Sequence, residues 1–224
     1  MTVSKRILMV VTNHTEITDD HKTGLWLEEF AVPYNVFKEQ GYDVKVTSIL
    51  GGEVPLDPSS LPAEKNADWA EAEKELTHTI KLSRDDAQGF DAIFLPGGHG
   101  TMYDFPDNET LLYILQQFAE DNRVIGAVCH GPSGLVNATY KNGTPLVKDK
   151  NITSFTDAEE REVKLDQHMP FLLETTLRKM GGIFSSRSNW TDFSVRDGNL
   201  VTGQNPQSSK STAEKVVDAI KNEI

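Results

Sequence analysis

The chain has 224 residues, 38% hydrophobic and 25% charged, an ordinary globular composition and long enough to bury one large core. Twenty-two basic against 34 acidic residues leave a formal net charge of −12, which argues against nucleic acid or an anionic membrane as the main partner. The single cysteine, Cys129, excludes a disulfide within the chain, and the start carries no signal-type or membrane-length run, so a cytoplasmic, reducing location is expected.

Short apolar runs alternate with amphipathic stretches. Ile7 to Val11 reads as a first buried strand. Residues 25–39 read as a helix that Pro33 should kink or split. Tyr42 to Ile49 reads as a second strand, closed by Gly51-Gly52. Pro55 to Pro62 reads as an irregular excursion and 66–78 as a polar helix. Ala92 to Leu95 is a third strand, Asn108 to Glu120 an amphipathic helix, and Val124 to Val128 a further strand. Phe193 to Thr202 has the form of a hairpin around Asp197-Gly198, and a last helix runs from about Ser209 to Ile224. Continuous apolar strands alternating with helices predict an α/β fold: a parallel sheet between two helical layers, with a small C-terminal hairpin. Neither an internal repeat nor a linker divides the chain, so residues 1–224 are expected to form one domain.

Val124 to Pro132 carries the chemistry. Ala127-Val128-Cys129-His130-Gly131, between a strand and a short helical pattern, has the small-x-nucleophile-x-Gly form of a nucleophile elbow. A thiol at such a tip lies over a helix N-terminus that favours thiolate, and His130 supplies a base or a positive charge. Pro96-Gly97-Gly98-His99-Gly100 closes another strand at the sheet edge where α/β proteins bind ligands. Gly97, Gly98 and His99 are therefore candidate substrate-binding residues, and the N–H groups of Gly98 and His130 are candidate oxyanion donors. Thr156 and Glu159 form a literal capping box, which leaves Glu160 on another azimuth as an acid able to orient His130; spacing alone does not choose among Asp157, Glu159 and Glu160. Of the adjacent acids Glu28 and Glu29, one can be solvated while the other faces inward as a proton-holding group. His14, His21, His78 and His168 show no ligand spacing and read as surface or loop residues; Trp26, Trp69 and Trp190 read as packing residues or pocket lining.

Together these motifs resemble the ThiJ/PfpI superfamily, whose fold is flavodoxin-like and similar to that of class I glutamine amidotransferases. Lys22-Thr23-Gly24, Gly51 to Ser60, Phe155 to Glu160 and Leu200 to Pro206 are similar to its glyoxalase III and heat-shock protein 31 branch. The resemblance implies Cys129 as nucleophile, His130 as its partner, Glu29 as the buried glutamate near the thiol and Glu160 as the third member. It implies no cofactor. Some relatives bind a metal through a His/Glu cluster in an added subdomain; no such cluster is visible here, so no metal is carried over.

The implied reaction converts methylglyoxal to lactate without glutathione. The Cys129 thiolate adds to the aldehyde, a base moves a proton from the aldehyde carbon toward the neighbouring carbonyl, and the resulting thioester is hydrolysed. The implied partner is thus a small 2-oxoaldehyde, in a homodimer. The same thiol would serve a cysteine peptidase or amidase, or a protein or nucleotide deglycase. A holding chaperone with Cys129 as an oxidation sensor is the alternative from another class.

Overall fold

The computed structural model describes residues 4–222. Its strands are β1 (Arg6–Val11), β2 (Glu16–Thr18), β3 (His21–Lys22), β4 (Asp43–Ser48), β5 (Ile80–Lys81), β6 (Ala92–Leu95), β7 (Val124–Val128), β8 (Asn151–Ile152), β9 (Ile183–Phe184), β10 (Ser194–Asp197) and β11 (Leu200–Gly203). Its α-helices are α1 (Leu27–Glu39), α2 (Ala70–Glu75), α3 (Thr101–Asp104), α4 (Glu109–Glu120), α5 (Asp157–Glu162), α6 (Leu173–Lys179) and α7 (Ser209–Lys221). Seven strands form one sheet in the order β10-β11-β7-β6-β1-β4-β5. Every pairing in it is parallel except β10 with β11, the hairpin expected around Asp197-Gly198.

The continuous apolar strands follow from burial on both faces. Along β1, Ile7, Met9 and Val11 point into one core with Phe30, Phe37, Val216 and Ile220, residues of α1 and α7. Leu8 and Val10 point into the other core with Leu111, Ile114, Leu115 and Phe118 of α4. Alternate side chains of one strand thus fill two layers. Among the described residues no helix is long and apolar enough to cross a membrane.

Three elements differ from the sequence expectation. Pro33 lies inside α1, which runs unbroken for 13 residues. Pro33 and its neighbours Phe30, Ala31, Tyr34 and Phe37 are buried, so packing on the sheet holds a helix that the missing N–H would weaken in isolation. Residues 66–78 form only a single 3₁₀ turn over Ala67–Trp69 and the short α2. After Cys129 the chain makes a 3₁₀ segment over Gly131–Leu135, because two glycines and Pro132 are poor α-helix formers. The helix dipole expected beneath the thiol is correspondingly small.

Candidate active site

The strands β1, β6, β7 and β11 end at one edge of the sheet, and the site residues converge there. Cys129 follows the last residue of β7 and takes a left-handed backbone with φ of 60°. A non-glycine residue in that region is strained, and such strain gathers at functional sites. The conformation is held from both sides: Cys129 N–H donates to the Gly203 carbonyl at 3.0 Å, and Phe155 N–H donates to the Cys129 carbonyl at 2.8 Å. A Cβ on Gly131 would stand 2.1 Å from the Leu95 carbonyl oxygen, which explains the glycine of the elbow.

His130 is 1% exposed and sits with Nδ1 3.4 Å from Cys129 Sγ. Its Nε2 lies 2.6 Å from Glu160 Oε2. The carboxylate accepts, so Nε2 carries the proton and the Nδ1 lone pair faces the sulfur. Burial pushes His130 below its ordinary value, and a positive charge on His99 would push it further down, against the pull of Glu160. The imidazole is therefore neutral at neutral pH, in the tautomer of a base. Burial also opposes ionisation of Glu160, yet His130 and the hydrogen bonds from both histidines hold its carboxyl well below the usual carboxylate range. With His130 neutral, those N–H donations carry the effect.

Glu29 is fully buried on the first turn of α1. Its Oε2 accepts the Gly97 N–H at 2.6 Å, while Oε1 has no partner at ordinary hydrogen-bond geometry. Burial pushes this carboxyl well above its ordinary value, and the charges of Glu28 and Asp57 add to that, against the neighbouring Cys129 thiol and the hydrogen bond from Gly97. Glu29 therefore holds a proton at neutral pH. Because Oε2 is occupied as an acceptor, the proton belongs on Oε1, the oxygen left for the thiol. Burial pushes the Cys129 thiol up, and an ionised Glu29 would push it further. A protonated Glu29 lacks that charge, and a proton on Oε1 offered to the sulfur would favour thiolate.

Glu29 is placed by the motifs around it. Thr23 Oγ1 donates to Asp57 Oδ2 at 2.8 Å, Leu25 N–H donates to the Pro55 carbonyl, and Asp57 N–H returns to the Leu25 carbonyl. On the other side Trp26 N–H donates to the Gly97 carbonyl. Gly98, at φ 97°, lies so close that a Cβ would be 2.2 Å from the Gly24 carbonyl oxygen. The entry to α1 is thus clamped between the 55–57 excursion and the glycine turn.

The three acids of the 157–160 run separate cleanly. Asp157 pairs with Thr175. Glu159 closes the capping box with Thr156 through Oε2, and its Oε1 also accepts from Trp190 N–H, Gln204 Nε2 and Asn205 Nδ2. Glu160 alone meets His130. The last two donors explain the Gln204-Asn205 motif. Trp190, with φ of 61°, packs its ring at a tilt of 59° against Phe155 with centroids 5.6 Å apart, and the Phe155 centroid lies 4.3 Å from that of His130.

His99 stands elsewhere than the turn alone suggests: its Nε2 lies 2.6 Å from Glu160 Oε1, so one carboxylate serves two imidazoles. The N–H groups of Gly98 and His130 meet no protein acceptor among the described residues and are free for an oxyanion. His99, His130 and Glu160 bring ligand atoms within 4.8 Å of one another, a set of metal-binding type that their separation in sequence conceals. As arranged, each Nε2 already donates to the carboxylate. Sequence reading named Trp190 only as packing or pocket lining, and missed the supporting roles of Asp57 and Phe155 and the wider role of Glu159. Asp57 and Phe155 stood inside recognised motifs, but no local pattern marked them as supports.

An α/β sandwich with a strained cysteine between a strand and a turn, backed by histidine and two carboxyl groups, defines a nucleophile-elbow protein with a thiol at its centre. The DJ-1/PfpI family model matches residues 21–219, and the chain belongs to that family. It is 32% identical to the glutathione-independent glyoxalase HSP31 of Saccharomyces cerevisiae, over 97% of this chain and 99% of that one. The solved glyoxalase III of Candida albicans superimposes with a TM-score of 0.84 at 31% identity, covering 96% of this chain and 97% of its own. The Rapid Encystment Protein of Francisella tularensis superimposes with a TM-score of 0.91 at 35% identity, covering 96% and 99%.

Proposed function

We propose that this protein is a glutathione-independent glyoxalase that converts methylglyoxal to lactate through Cys129. The observation that carries this reading is the geometry around the thiol: a fully buried Glu29 carboxyl anchored to Gly97 on one side and His130 Nδ1 at 3.4 Å from Sγ on the other. An internal redox shift needs a nucleophile to hold the aldehyde and a group that moves a proton between adjacent carbons; it needs no nicotinamide. The similarity to named glyoxalases over nearly the whole chain supports the same assignment.

In this reading Cys129 thiolate adds to the aldehyde carbon, and the new oxyanion is received by the N–H groups of Gly98 and His130. Removal of the C1 proton by neutral His130, with protonated Glu29 as the acid toward the C2 carbonyl oxygen, and return of a proton to C2 give the thioester of a 2-hydroxy acid. General acid–base help of this kind typically contributes about 10²–10⁴ in rate. Burial favours a small substrate over a macromolecular one, since Cys129 is 3% exposed and its partners are as enclosed. The homodimer implied by the resemblance is part of the proposal.

The test is purified protein with methylglyoxal and no glutathione. Lactate is expected from the wild type and none from Cys129→Ala, with the circular dichroism spectrum unchanged. Lactate production persisting in that variant would sink the reading.

A further inference from the structure

We propose that His99 is a second general base of the site, acting on the water that releases the product acid from Cys129. This inference rests on the glyoxalase reading, which needs proton acceptors at two different moments. The first half of the reaction ends with an acyl thioester on Cys129. The second half needs a water oxygen made nucleophilic beside that thioester.

The groups of the first half are committed elsewhere. His130 turns Nδ1 to Sγ at 3.4 Å and uses Nε2 on Glu160, so both ring nitrogens are engaged. Glu29 is completely enclosed and bound to Gly97. His99 differs on each count. It is the most exposed of the polar site residues, 7% against 0–3% for Glu29, His130, Cys129 and Glu160. Its Nε2 is bonded to Glu160 Oε1 at 2.6 Å, which puts the proton on Nε2 and leaves the lone pair on Nδ1. Nδ1 has no partner among the described residues and is not shut off from solvent, so it is open to water.

An imidazole held by a carboxylate, with its second nitrogen free, is the arrangement that orients a general base. Here one carboxylate orients two such rings, whose centroids lie 4.0 Å apart. His130 serves the sulfur and His99 serves the solvent side. In the step assigned to it, His99 Nδ1 takes a proton from water as the water oxygen bonds to the thioester carbonyl carbon. The tetrahedral oxyanion then collapses, the C–S bond breaks and its electron pair returns to Cys129 as thiolate. The proton on His99 leaves to solvent, and lactate departs. No oxidant or reductant is consumed.

His99→Gln tests this, because the glutamine amide still donates to Glu160. The variant is expected to consume one equivalent of methylglyoxal rapidly and then stall, with steady-state lactate formation down about 10²-fold or more. An adduct of one protein with one methylglyoxal should survive desalting, be released by hydroxylamine as the hydroxamate, and be absent from Cys129→Ala. Hydroxylamine, which needs no base to attack a thioester, is added to the desalted adduct, where no free methylglyoxal remains to form an oxime; after its removal the freed variant should consume a second equivalent and so show that it is folded. Loss of the first-equivalent consumption together with turnover would make His99 merely a support for Glu160, and wild-type turnover in the variant would remove it from the reaction; either result overturns the proposal. Failure of the underlying reading looks different: the wild type itself would then yield no lactate.

Discussion

At the scale of residues, two buried glutamates are pushed in opposite directions by what surrounds them. Glu29 has few donors and acidic neighbours, so it keeps its proton; Glu160 receives two imidazole N–H bonds, so it gives its proton up. The consequences for stability have opposite sign. For Glu29 the folded state binds the proton more tightly than the unfolded chain, so stability falls as pH rises above the ordinary carboxylate range, about pH 4. For Glu160 the folded state binds it less tightly, so its contribution is present above that range and is lost as pH falls through and below it. Glu29→Gln, neutral in both states, is expected to be more stable than the wild type at pH 7, with the gap closing near pH 4. Urea unfolding at the two pH values checks this. An equal gap at both would mean that Glu29 is ionised in the folded protein. In the same variant lactate formation should fall by about 10² or more, because an amide cannot carry the proton.

At the scale of elements, the site is assembled by short connections more than by long helices. Helix α5 has six residues, yet its capping box sets where Glu159 and Glu160 point. Thr156→Ala removes the cap and one donor to Glu159, and is expected to cost about 1–2 kcal/mol in chemical denaturation. It should also lower kcat more than KM, because Glu160 loses its aim at His130 while the thiol stays in place. Stability loss with unchanged kcat would confine Thr156 to capping. These elements also show where sequence reading is strong. The long strands and α4 were legible because their periodicity records burial directly. The unbroken α1 and the 3₁₀ segment after Cys129 were not, because packing overrides proline in one case, and in the other the pattern does not tell a 3₁₀ turn from an α-helix.

At the scale of the whole molecule, the sheet brings to one edge residues spread from Thr23 to Asn205. The homodimer is tested by sedimentation equilibrium, where a mass of roughly twice the 24.9 kDa chain is expected; a value equal to the single chain would remove it. The sequence by itself determined the sheet's buried strands, the elbow around Cys129 and the choice of His130 as its neighbour, because each depends on residues adjacent in the chain. It also narrowed the acids to a short run, since capping is a local rule. Only the tertiary structure decided that Glu160 meets His130, that Glu29 rather than Glu28 is enclosed, and that His99 shares the same carboxylate. Those choices turn on which side chains are deprived of water and which donors reach them across 30 to 68 residues of chain. Solvation and long-range hydrogen bonding leave no periodic trace in a sequence, and they are what set the protonation of this site.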